Sequence, residues 1–162
     1  MRATHTEEIE QGEDPAQVAI ENALRKARAA AAAGEGAPEL VLGCDTIVVL
    51  DGVIYGKPPD AETARRTLSA LGGRTHEVLS GVAALLPDQE RTALARTRVT
   101  FRALEEDLLD WYVAQEEWRG RSGGYAVQGA GSKLALNIDG EVENVVGLPL
   151  AVLAQLCPEL GA

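Results

Sequence analysis

Residues 41–58 read VLGCDTIVVLDGVIYGKP, and this stretch decides what kind of sheet the chain builds. Ile47, Val48, Val49 and Leu50, with Val41 and Leu42 ahead of them, predict a β-strand rich in branched side chains. Asp51-Gly52 is a hairpin turn signal, and Val53-Ile54-Tyr55 returns as a second, short strand. Into this apolar run the sequence sets one carboxylate, Asp45, and past the hairpin one ammonium, Lys57, between Gly56 and Pro58. A charge in a strand that otherwise favours burial costs on the order of several kcal/mol unless something pairs with it. Two readings of Asp45 stand at this point. It lies at a strand edge or bulge and faces water, or it is a metal ligand or general base at the mouth of a cleft, with Lys57 brought near to meet phosphate.

Outward towards the N-terminus, Asp14-Pro15 reads as a helix start, with Asp14 as cap, Pro15 in the first turn and Gln17 at the capping-box position. Ala19, Ala23 and Ala27, with Ile20 and Leu24, recur at helical spacing, so a helix is predicted to about Ala33 and a stop over residues 34–38. Lys26 borders the apolar face, where a lysine ordinarily snorkels to the surface. Residues 1–12 are polar and acidic and read alone as a solvated lead-in.

Outward in the other direction, Ala61, Ala64, Leu68 and Leu71 define a second helix from Asp60, stopped by Gly72-Gly73. Arg74 to Glu77 leads into a strand at Val78 to Leu86, and the alternation about Val99 and Phe101 marks an antiparallel partner within Arg91 to Leu104. A third helix is predicted over Glu105 to Trp118, then a strand at Lys133 to Ile138 and a closing helix at Leu150 to Leu156. His76, with no second histidine nearby, reads as structural. Gly120, Gly123, Gly124, Gly129 and Gly131 surround Tyr125 to Gln128; such a segment suits either a loop that cradles phosphate or reads a base, or a plain tight turn. Strands and helices mixed in this way predict an α/β fold with hairpins rather than a strict parallel repeat.

At 162 residues the chain has the length of one ordinary domain, here 1–162. Its 15 Lys+Arg against 25 Asp+Glu give a net charge of −10, which argues against nucleic acid and membrane surfaces as partners. An anionic small substrate would therefore need a local basic pocket or a divalent cation. Cys44 and Cys157 lack metal-ligand spacing and read as small hydrophobes in a reducing compartment rather than a disulfide. With no long apolar run and no signal-like N-terminus, the expectation is a cytoplasmic protein.

The motifs GCDTIVVLDG, GKP, GGRTHEVLSGV, SGGYAVQGAG and NVVGLPL, in that order, resemble the Maf (septum formation) family of nucleoside triphosphate pyrophosphatases. The resemblance runs from about Glu7 to Leu156 and implies cleavage between the α and β phosphates, giving a monophosphate and pyrophosphate with Mg²⁺ or Mn²⁺. By that resemblance Asp45 is the proton acceptor and lies close to the metal, Lys57 and Lys26 contact phosphate, and Glu7 or Glu8 is the metal-side acid. Thr46 and Gln128 match the pair tied to substrate choice in the dTTP/UTP branch. The fold it implies is α/β: a mixed, twisted sheet with flanking helices, similar to the Maf and inosine triphosphate pyrophosphatases and N-terminally truncated. A homodimer is the family expectation.

The family also carries an opening strand and a Ser-x-Ser-Pro-Arg-Arg loop, and no such motif occurs in this sequence. Two expectations follow. Either the full protein starts upstream and is an ordinary pyrophosphatase, or this chain is the product and is a weak or inactive nucleotide-binding, regulatory relative.

Overall fold

The computed structural model describes residues 14–34 and 39–161. Glu7 and Glu8, one of them expected as the metal-side acid, lie outside these residues. Helix α1 spans Pro15–Ala33, followed by β1 (Val41–Leu50) and β2 (Val53–Tyr55), then α2 (Ala61–Leu71). Strands β3 (Thr75–Leu85) and β4 (Glu90–Phe101) lead to α3 (Glu106–Ala114). Two 3₁₀ turns, Ser122–Gly124 and Gly129–Lys133, precede β5 (Ala135–Asp139), and α4 (Val142–Val146) and α5 (Leu150–Leu156) follow.

The strands form a five-stranded sheet in the order β2-β1-β3-β4-β5, and each pairing among the described residues is antiparallel. The α/β class and the hairpins are those the sequence indicates, and no parallel pair occurs in this part of the sheet. The Asp51-Gly52 turn joins β1 to β2 with both residues at positive φ, 50° and 78°, and pairs Leu50 with Val53.

Alternate residues of a strand face opposite sides of the sheet, and here the two sides differ. On one side Asp45, Ile47 and Val49 of β1 look towards α1, whose Ala19, Ala23 and Ala27 are fully buried. The helix comes very close: a Cβ added to Gly43 would sit 2.2 Å from the Ala23 carbonyl oxygen, and one added to Gly81 would sit 2.2 Å from that of Ala19. On the other side Val48, Leu50, Val78, Val99 and Phe101 build the larger core with Leu68, Leu109 and Tyr112 from α2 and α3. His76 is buried in this core, donor or acceptor to the Tyr125 hydroxyl at 2.7 Å and edge-on to Phe101. Its structural role is thereby visible.

Three local expectations change. Asp14 makes no side-chain cap, and Gln17 donates to Glu21 instead of closing a capping box; Pro15, lacking an N–H, removes one of the donors a cap would serve. Helix α3 ends at Ala114, short of Trp118, because Glu116 turns into the left-handed region at φ 59°. The segment around Lys133 is the second 3₁₀ turn, and the strand starts two residues later, at Ala135.

Candidate active site

Asp45 lies within β1, in continuous register opposite Gly81, and is only 3% exposed. Asp45 therefore neither bulges out nor faces water, and that part of the first reading is overturned. What makes its burial tolerable comes from α1. Asn22 Nδ2 donates to Asp45 Oδ2 at 3.1 Å, and Lys26 Nζ donates to Oδ1 at 2.6 Å. Asn22 and Lys26 are one helical turn apart and so share a face of α1. Lys26 is thus no plain surface lysine: its side chain is 21% exposed and its ammonium is paired.

Asp45 and Thr46 are neighbours in a strand and point to opposite faces, yet both line one cavity of about 200 Å³. This is possible where β1 runs ahead of β2, which pairs with it only over Val48 to Leu50; among the described residues no strand covers that edge of β1. The chain leaves β2 through Gly56 and brings Lys57 to the same wall; Lys26, Arg121 and Val146 complete it. On the far face the Thr46 hydroxyl shares a hydrogen bond with Ser80 at 2.7 Å, and Ser80 in turn donates weakly to the Asn144 carbonyl at 3.5 Å. Asn144, fully buried, donates to the Val78 carbonyl and to the Thr97 hydroxyl, which fixes α4 and its Val145 and Val146 beside the cavity.

Gln128 lines a second, adjoining cavity of about 370 Å³ with Glu117 and Arg119. The two cavities share Arg121, Val145 and Val146. Sites for small ligands hold roughly 300–1,000 Å³; the first cavity falls below that range and the second lies within it. Gln128 stands just ahead of the Gly129–Lys133 turn, which Glu117 holds by accepting from Ala130 N at 3.1 Å and Gly131 N at 3.3 Å. Tyr112, its hydroxyl pushed up to about 12 by burial, accepts from Ala126 N at 3.0 Å. These clamps show that the glycine-dense segment is a shaped loop on the wall of a cavity.

The structure thus brings Asp45, Thr46, Lys26 and Lys57 around one cavity and puts Gln128 next door. Asn22, Arg121 and the Ser80–Asn144 chain escaped the sequence reading. Asn22 sits four residues before Lys26 on the same helix face, a spacing that would have found it. Cys44 donates to the Gly147 carbonyl at 3.4 Å, and burial with the neighbouring Asp45 charge pushes its thiol up to about 11, so it is an inert thiol.

As to metal, no cluster of three or more His, Cys, Asp or Glu side chains occurs among the described residues. Asp45 is the one carboxylate on the first cavity among them. That set fits a hard cation of the Mg²⁺ type, which takes one or two carboxylates plus oxygens of a phosphate rather than a full protein cage.

An α/β domain that gathers a carboxylate, two ammonium groups and a guanidinium at one sheet edge, in an otherwise acidic chain, is equipped for small phosphate-bearing molecules. The chain belongs to the Maf family, described as Maf-like protein, whose profile matches residues 1–160. It is 43% identical over 148 residues to a dTTP/UTP pyrophosphatase of Pyrococcus furiosus, covering 91% of this chain and 76% of that one. A protein of the same name from Anaeromyxobacter sp. is 45% identical over 166 residues, covering 99% of this chain and 78% of the relative. One from Symbiobacterium thermophilum is 42% identical over 149 residues, covering 92% and 76%. Family resemblance read from the motifs is borne out.

No helix among the described residues is long and apolar enough to cross a membrane.

Proposed function

We propose that the chain hydrolyses dTTP and UTP to the nucleoside monophosphate and pyrophosphate. The observation that carries this reading is a pair of adjoining cavities that share Arg121, Val145 and Val146, with Asp45, Lys26 and Lys57 about one and Gln128 at the other. Relatives named for that activity, at 42–45% identity, support it and do not favour a non-catalytic nucleotide binder.

The triphosphate occupies the first cavity, where Lys57 and Lys26 meet its negative charge. Asp45 takes a proton from a water molecule as the water oxygen bonds to the α-phosphorus and the bond to the bridging oxygen of the β-phosphate breaks. Pyrophosphate departs with that bridging oxygen, and the abstracted proton passes on to solvent. Gln128 carries both a donor and an acceptor, which suits the edge of uracil or thymine, while Thr46 shapes the wall of the first cavity. A divalent cation, Mg²⁺ or Mn²⁺, would be held by Asp45 together with Glu7 or Glu8, and would neutralise the phosphates. The net charge of −10 supports a small-molecule substrate over nucleic acid. We take the protein to be a cytoplasmic homodimer built of one domain per chain, which fractionation and sedimentation would test.

Incubation with UTP or dTTP and Mn²⁺ should release pyrophosphate and monophosphate in equal amounts, and chelation should stop it. Orthophosphate as the main product would overturn the assignment.

A further inference from the structure

We infer that Arg121 is the ligand of the α-phosphate, at the seam between the two cavities; this rests on the functional reading just given. Arg121 is the one charged residue that lines both cavities, and the other shared wall is the apolar pair Val145 and Val146. A nucleotide with its polyphosphate beside Lys57 and its base beside Gln128 must pass its α-phosphate and ribose through that seam.

The guanidinium is available for this. Arg28, Arg65, Arg74, Arg91, Arg96 and Arg119 are each paired with a carboxylate of the protein. Arg119, also on the second cavity, is neutralised by Glu116 and lies over the Trp118 ring at 4.6 Å. The side chain of Arg121 makes no ion pair or hydrogen bond with the described residues. A planar fork with five donors matches a phosphoryl group better than any point charge.

Its backbone is anchored to both elements that carry the proposed chemistry. The next residue, Ser122, donates its hydroxyl to the Thr46 carbonyl at 2.7 Å. Gly123 N donates to the Gly56 carbonyl at 3.1 Å, one residue from Lys57. Gly123 has φ 72° and packs so tightly that an added Cβ would lie 2.7 Å from Val48 Cγ2, so this stitch admits little else. Arg121 is thereby held in step with Asp45 and Lys57 although 76 and 64 residues of sequence separate them.

The test uses Arg121→Met in the full chain, with Arg121→Lys beside it. Both should keep a melting temperature near that of the wild type, since the side chain makes no ion pair or hydrogen bond with the described residues. With UTP, kcat/KM should fall about a hundredfold in Arg121→Met and partly recover in Arg121→Lys. Inhibition by UMP should weaken about tenfold or more, while inhibition by inorganic pyrophosphate and by uridine stays at the wild-type level. Unchanged inhibition by UMP, or equal weakening towards pyrophosphate, would overturn the placement. A wild-type chain that releases no pyrophosphate from UTP would sink the functional reading and this one with it; an active wild type with an unaffected variant sinks this one alone.

Discussion

The two faces of the sheet are packed by opposite means. Against α1 the contacts are alanine on glycine, backbone nearly on backbone, with Gly43 and Gly81 leaving no room for a methyl group. On the other face large side chains interlock, and a loop of glycines is hung from them by hydrogen bonds to Glu117 and Tyr112. The first arrangement has no slack, and it sets Asn22 and Lys26 on the Asp45 carboxylate. The second is adjustable, and it carries Gln128. On the proposed reading, the chemistry is held by the rigid face and recognition by the compliant one.

The largest effect should come from the rigid face. Asp45→Asn preserves shape but removes the base and leaves one accepting oxygen for the two donors Asn22 and Lys26; it should lower kcat by about 10²- to 10⁴-fold in a chain that still folds, with a lower thermal midpoint because the buried pair with Lys26 is lost. Turnover that survives in the folded variant, measured well below its melting temperature, would mean that Asp45 serves architecture alone. Gly81→Val attacks the same face through the backbone. Its Cβ would begin 2.2 Å from the Ala19 carbonyl, so α1 must lift, at a cost of about 3 kcal/mol or more. Leu68→Met in the core of the opposite face, a volume-conserving change, should cost less than about 1.5 kcal/mol. Urea unfolding of the pair reads the contrast directly, and equal losses would erase it.

How much of this the sequence discloses follows the same division. The β1–β2 hairpin, α2 with Asp60 accepting from Thr63 N at 2.7 Å, and the β3–β4 pair are legible because strand and helix periods and turn residues state them locally. Glycines 43 and 81 do not announce their role, since a glycine inside a strand looks like a weakness until the helix that lies on it is known. Lys26 at the border of an apolar face is indistinguishable by spacing from any snorkelling lysine; the ion pair depends on where Asp45 faces. The end of α3 is hidden because Glu116, a residue without special freedom, takes positive φ. Asp45 was legible as an anomaly, a charge among apolar neighbours, and Lys57 by its setting between Gly56 and Pro58. Arg121 was not, because its meaning comes from two cavities made of segments far apart in the chain.

Next in size is a pH effect confined to the compliant face. Burial lowers His76 from 6.5 to about 4. Between those values the unfolded chain takes up a proton at this site and the folded chain does not, so stability is full above about pH 6.5 and drains as the pH falls towards 4. The shift corresponds to about 3 kcal/mol. His76→Phe sacrifices the bond to Tyr125 but has nothing to titrate, so the urea midpoint of the variant should fall less between pH 7 and pH 4 than that of the wild type. Parallel curves would show that His76 does not drive the acid loss.

The smallest effect should separate recognition from chemistry. Glu117→Ala removes the carboxylate that accepts from Ala130 N and Gly131 N, leaving the Tyr112 clamp on Ala126 in place. The turn after Gln128 should loosen without unfolding, since a hydrogen bond to a charged group contributes about 1.5 to 3 kcal/mol and the freed N–H groups regain water. Because Asp45 is fixed from α1 on the other face, kcat for UTP should hold while KM rises about tenfold, and Glu117→Gln, which keeps one accepting oxygen, should restore part of it. A fall in kcat at constant KM would reverse the inference: the loop would then be positioning the reacting atoms through Ser122 and Thr46, and the two faces would act as one device.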